Sequence, residues 1–139
     1  MAHELIELYA KREKQEGFKY AEDTVWQKEF EDAFPYEETP DQLKAIDDIK
    51  KDMESGRIMD RLLVGDVGFG KTEVAFRAMF KTVIDGKQAV LLAPTTILAR
   101  QHYENLKPRL EEFGIDLALI TRLQTGAENS ESIQRLAEG

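Results

Sequence analysis

The 139-residue sequence contains no cysteine. Disulfides, thiolate metal sites and cysteine nucleophiles are therefore excluded, and the composition fits a reducing, cytoplasmic setting. No apolar run approaches the roughly 18 residues of a membrane span, so no membrane partner is expected. Met1-Ala2-His3-Glu4 lacks the basic-then-apolar order of a secretory signal. Positive charge is also short: 19 Lys and Arg stand against 27 Asp and Glu, a net charge of −8. Proteins that hold nucleic acid by their own surface field are usually basic, so the chain by itself is expected to bind DNA or RNA weakly. There are only 2 histidines. His102 has no His or Cys near it in sequence and reads as a surface or lightly packed residue. With 42% hydrophobic and 33% charged residues, the chain has the material for one soluble domain with a core.

What is present is ordered from helices to alternating strands and helices. Leu5, Leu8 and Tyr9 recur at helical spacing between about His3 and Glu16, and Glu7 and Lys11 can pair at i, i+4. The apolar stripe is narrow, as in a connector, and Gly17 ends it. Thr24-Val25-Trp26-Gln27 has capping-box form and predicts a second helix. Trp26, Phe30, Ala33 and Phe34 share its apolar face, with Trp26 in the core, and Pro35 stops it. Thr39-Pro40-Asp41-Gln42 starts a third, continued by Leu43, Ile46, Ile49 and Met53 to Ser55-Gly56.

Arg61–Val64 is then a short apolar run into a glycine-rich loop. A helix follows with Val74, Ala75, Ala78, Met79 and Val83 inward, ending at Asp85-Gly86. Gln88–Ala93 reads as a strand, Thr96–Glu112 as a helix with a kink or break at Pro108, Ile115–Ile120 as a strand, and Glu128–Glu138 as a last helix. This alternation predicts an α/β fold: a parallel sheet flanked by helices, preceded by N-terminal helices. Three strands are few for a sheet covered on both faces, so the expectation is a truncated P-loop domain. Its exposed edges would be open to self-association.

Gly65-Asp66-Val67-Gly68-Phe69-Gly70-Lys71-Thr72 has the spacing of a Walker A phosphate loop. Glycines let backbone N–H groups turn inward on the phosphates, and Asp66, Val67 and Phe69 contribute that backbone. Lys71 reaches the β- and γ-phosphates of ATP, Thr72 gives its hydroxyl to Mg²⁺, and the next helix directs its N-terminus at the negative charge. Hydrolysis needs a further carboxylate for Mg²⁺ and a residue to orient water. Asp116 is mid-strand with no adjacent acid, so no Walker B is visible and truncation is the expected reason.

The flanking residues carry a resemblance. Phe34-Pro35-Tyr36-Glu37-Glu38-Thr39-Pro40-Asp41-Gln42 is similar to the Q-motif region of superfamily-2 helicases, and Pro94-Thr95-Thr96-Ile97-Leu98-Ala99 is similar to their motif Ia. With Met59-Asp60-Arg61-Leu62-Leu63 and the loop itself, these segments closely resemble the Mfd family of bacterial transcription-repair coupling factors. RecG proteins share the loop's form but not the same upstream run. The resemblance implies a connector helix over residues 1–22 and an incomplete first RecA-like motor lobe over 23–139. It implies that Phe34 stacks on adenine, that Gln42 reads its edge, and that Thr95, Thr96, Arg100 and Arg122 face DNA. It implies a parent protein that moves on double-stranded DNA with ATP, displaces stalled RNA polymerase and recruits excision-repair proteins through other domains.

Two departures stand out: Arg100 where the family pattern has glutamine, and Gln124 where it has a second arginine. Structural readings sit beside the functional ones. Phe34 could be core, Gln42 could serve only its capping box, and Thr95 and Thr96 could simply cap a helix. Two other functions are also consistent with a P-loop: an interaction module whose loop is idle, and a small kinase. No acceptor-site carboxylate or lid supports the kinase.

Overall fold

The computed structural model of the chain describes residues 2–64 and 70–138. Among these residues there are six helices and no strand: α1 (Ala2–Lys14), α2 (Val25–Asp32), α3 (Pro40–Glu54), α4 (Lys71–Ile84), α5 (Thr96–Glu111) and α6 (Gly126–Glu138). They fall into two compact units, Met1–Asp85 and Gly86–Gly139.

Local chemistry starts the helices where the sequence marks them. Thr24 accepts the Gln27 N–H at 3.4 Å to begin α2. Thr39 and Gln42 form a complete capping box on α3, with Pro40 in its first turn. Thr95 accepts the Leu98 N–H at 3.2 Å to begin α5, which continues through Pro108 without a break. Thr125 and Glu128 reciprocate, N–H to side chain in both directions, so α6 starts earlier than the sequence reading has it.

In the first unit α2 and α3 pack on α4. The Phe30 and Phe80 rings stack at 4.3 Å and 8° between them, with Ile46, Met53, Val74 and Phe76 also buried. Each such side chain contributes about 1.5–3 kcal/mol of burial. The ring pair adds roughly 0.5–1.5 kcal/mol.

Two helix faces differ from expectation. Trp26 is 57% exposed and Gln27 takes the inward place, its Nε2 donating to the Arg77 carbonyl at 3.2 Å. Gln27 and Phe30, at i and i+3, face α4, which rotates Trp26 outward. On α4 the buried set is Glu73, Val74, Phe76, Arg77, Phe80 and Lys81. Ala75, Ala78, Met79 and Val83 are half-buried. The face covered by α2 and α3 wins the burial.

The segment joining α1 to α2 is strapped to the ends of α3 and α4. Gly17 N–H donates to the Gly56 carbonyl at 2.8 Å and Tyr20 N–H to that of Met53 at 3.0 Å. A Cβ on Gly17 would sit 3.0 Å from the backbone of Arg57 and Ile58, so any larger residue would push the two segments apart by a few tenths of an ångström. Ala21 N–H reaches the Asp85 carboxylate at 2.7 Å. The buried Lys81 ammonium holds the Ala21 carbonyl, Asp23 and Glu54 at 2.8–3.0 Å. Lys50 bridges Asp23 and Glu31. Burial pushes the Asp23 carboxyl up and the Lys81 amine down. Their hydrogen bonds outweigh it, so Asp23 sits below the usual carboxylate value and Lys81 above the usual lysine one. Arg12 of α1 pairs with Asp60.

The three segments expected as strands carry no ladder. Leu62 and Leu92 are 85% and 89% exposed. An extended segment gains its stability from a neighbour on each edge, and among the described residues these have none. The segment 115–120 keeps the strand alternation all the same: Ile115, Leu117 and Leu119 are half-buried, Asp116, Ala118 and Ile120 exposed. In this second unit Leu106 and Leu110 of α5 are the buried apolar residues. Gln88 Nε2 donates to the Leu136 carbonyl at 2.8 Å, and Asn129 Nδ2 to that of Thr121 at 2.7 Å.

Candidate nucleotide site

Of the phosphate-loop residues, Gly65, Asp66, Val67, Gly68 and Phe69 lie outside the described residues; Gly70, Lys71 and Thr72 lie within them. Gly70 is left-handed, φ 79° and ψ 31°, and stands at the N-cap of α4 without a side-chain capping bond. A helix begun this way presents backbone N–H groups and the positive end of its dipole to an anion. Lys71, the first helical residue, is exposed and Thr72 is half-buried.

Gln42 is 4% exposed and joins two elements. Its Oε1 accepts the Thr39 N–H at 2.9 Å, and its Nε2 donates to the Gly70 carbonyl at 3.3 Å. A carboxamide offers two donor hydrogens and two acceptor lone pairs. Each end of Gln42 therefore has capacity for one further partner of the kind an adenine edge presents. A Cβ on Gly70 would lie 1.9 Å from Gln42 Nε2, so glycine is favoured there by φ and any side chain would displace the Gln42 amide.

Phe34 is half-buried at the end of α2. The Arg77 guanidinium lies over its ring, 5.5 Å from the centroid, and Tyr36 packs edge-on at 5.6 Å. Arg77 is 3% exposed and doubly paired: Nε to Glu73 at 2.9 Å and Nη2 to Glu38 at 2.8 Å. Burial would lower the Arg77 pKa, but Glu38 and Glu73 outweigh that and hold it above the ordinary arginine value. Arg77 in turn keeps the Glu38 carboxyl below its usual range. The sequence reading did not include this cluster. Glu73 and Arg77 at i, i+4 just after the loop were the available signal; Glu38, distant in sequence, carried none.

The structure thus brings Gln42 to the end of the phosphate loop and Phe34 to α4. The residues assigned to DNA are all in the second unit. Thr95 uses its hydroxyl to cap α5, Thr96 opens that helix, Arg100 is exposed on it, and Arg122 is exposed in the turn before α6.

Residues 39–138 match the family model of the DEAD/DEAH box helicases. Over its whole length the chain is 55% identical to the transcription-repair-coupling factor of Bacillus subtilis, and equally to that of Staphylococcus aureus USA300. It spans only 12% of the length of either relative. A solved structure of RecG bound to a three-way DNA junction superposes with a TM-score of 0.79 at 34% identity, covering 96% of this chain and 18% of that one. These likenesses give the chain the RecA-like helicase fold.

Proposed function

We propose a function from one premise: the chain belongs to the DEAD/DEAH box helicase family. It is the ATP-binding beginning of the motor of a DNA translocase of the transcription-repair-coupling kind. The observation that carries this reading is the Gln42 carboxamide, buried between the Thr39 cap and the Gly70 carbonyl. It ties the residue expected to read adenine to the loop expected to hold phosphate. In this reading Phe34 supplies a face for the adenine ring and Gln42 reads its edge. The backbone of residues 66–70 and the Lys71 ammonium hold the phosphates, and the Thr72 hydroxyl takes Mg²⁺. Bound Mg-ATP supplies the phosphoryl group whose hydrolysis drives movement in the parent protein.

Thr96, Arg100, Arg122 and the Thr95 backbone face the DNA backbone, since hydroxyls, guanidinium groups and a helix N-terminus suit phosphate oxygens. Residues 61–64, 88–93 and 115–120 are strands of a parallel sheet in the longer protein, a role favoured by their exposed apolar side chains. That protein is cytoplasmic, moves on double-stranded DNA, and engages RNA polymerase and excision-repair proteins through other domains. The relatives' name supports the coupling of transcription to repair. The present chain, with no second Mg²⁺ carboxylate evident in its sequence, binds nucleotide and turns it over negligibly.

The test is calorimetric titration of Mg-ATP and Mg-ADP into the chain and into Lys71→Ala. Binding that disappears in the variant is expected. Binding that survives unchanged in Lys71→Ala, or no binding by either protein, would favour an interaction module with an idle loop.

A further inference from the structure

We infer that Arg77 is a positioning residue that fixes the adenine-binding segment, residues 34–42, to the helix that carries the phosphate loop. The inference rests on the nucleotide reading above.

Arg77 is almost wholly buried, a cation on a helix face that also buries Val74, Phe76 and Phe80 and the charged Glu73 and Lys81. A charge in that position is costly, and an apolar side chain of like size would often serve packing as well or better. Its geometry indicates what it does instead. The guanidinium meets three groups at once: Glu73 on its own helix, Glu38 in the segment between α2 and α3, and the Phe34 ring at the end of α2. Its backbone carbonyl takes the Gln27 amide at 3.2 Å, so α2 is held as well. A planar fork can offer two in-plane N–H groups and a face together; an ammonium cannot.

Each of these contacts reaches one side of the base site. Phe34 is the ring expected under adenine. Glu38 directly precedes Thr39, whose N–H fixes the Gln42 carboxamide at 2.9 Å. Restraining Glu38 therefore restrains the cap from which Gln42 is aimed. Glu73 lies two residues beyond Lys71, so the anchor is in the same first turn that meets the phosphates. Arg77 also compensates two carboxylates, Glu38 and Glu73, that flank a site built for an anion.

The consequence is selective. Loosening this tether should weaken binding of the base and leave binding of the phosphates alone. The experiment compares calorimetric affinities for Mg-ATP and Mg-tripolyphosphate in wild type, Glu38→Ala, Glu38→Gln and Arg77→Lys. Glu38→Ala and Arg77→Lys are expected to lose about tenfold in ATP affinity, the factor carried by roughly one charge-assisted hydrogen bond, with tripolyphosphate affinity unchanged within about twofold. Glu38→Gln keeps an oxygen for Arg77 and should recover most of the loss. Circular dichroism of each variant checks its fold. Glu38 is partly exposed, so its variants read the tether even if Arg77→Lys unfolds. Equal loss for both ligands, or no loss for either, would make Arg77 structural only and overturn the inference. A wild type that binds neither ligand would instead remove the nucleotide reading on which it rests.

Discussion

The unit Met1–Asp85 buries Phe30, Ile46, Met53, Val74, Phe76 and Phe80, and with them Gln27, Gln42, Glu73, Arg77 and Lys81. The unit Gly86–Gly139 buries Leu106 and Leu110, and no polar residue among those described. In the first, an aromatic core is closed by cations that each hold two carboxylates. In the second, two helices accompany non-helical segments in which Val90, Leu91 and Leu92 are exposed while Ile115, Leu117 and Leu119 are half-buried. The difference teaches where local helix packing suffices. Three helices can cover one another's apolar faces, whereas strands of a parallel sheet stabilise only together with their neighbours.

The contrast can be broken most sharply at the aromatic stack. Phe80→Ala should cost about 3–5 kcal/mol, read by urea unfolding, because the cavity would open between α2 and α4. A loss below about 1 kcal/mol would mean that the first unit is not held by this core. Leu110→Ala in the second unit should cost about 2 kcal/mol, the low end for such a truncation, since Leu106 is the other apolar residue fully buried with it in that unit.

Gly70→Ala is expected to cost about 1–2 kcal/mol of left-handed backbone strain and to abolish nucleotide binding, because the new methyl group displaces the Gln42 amide. Titration of the folded variant with Mg-ADP checks this, and undiminished affinity would count against the Gln42–Gly70 link.

Acid should then separate the units. Asp23 ionises below its ordinary 3.8 in the folded chain. Its contribution is full above the unfolded value and is lost as pH falls through the lower folded one. Amide exchange at α4 should therefore accelerate below about pH 4, and Asp23→Asn should reduce that dependence, leaving the part that Glu38 contributes through Arg77. If α5 and α6 loosen in step with α4, the ion network is not what distinguishes the units. The smallest effect is at the caps: Thr39→Ala and Thr95→Ala should each cost about 1 kcal/mol. Only the first should also weaken nucleotide binding, since its partner Gln42 touches the loop.

What the sequence made legible was local. Thr39-Pro40-Asp41-Gln42 names its own helix start, and the loop spacing places Lys71 at the head of α4, because both depend on residues within one turn. Gln27 shows the limit. The same Thr-x-x-Gln pattern that closes a capping box at Gln42 sends the Gln27 amide to Arg77, 50 positions away, and turns Trp26 outward. No local rule distinguishes the two glutamines; the neighbour on α4 does. The Glu38–Arg77 pair was hidden for the same reason. Among the described residues the expected strands lack the ladder that would define them, so the apolar runs marked segments that are not helical and left any pairing open.

The strap from Gly17 to Asp23 also determines how this chain would carry mechanical load. Two backbone hydrogen bonds to Gly56 and Met53, and the clasp of Lys81 on Ala21 and Asp23, lie close together along it. Tension applied through the amino end is expected to uncoil α1 first, whose described side chains are exposed apart from half-buried Arg12. It would then meet the strap, where these neighbouring bonds share the load. Single-molecule stretching should show two steps, soft then stiff. Below the second step, force delivered at Gly17 arrives at residues 56–58, the turn from which the chain runs on to the phosphate loop.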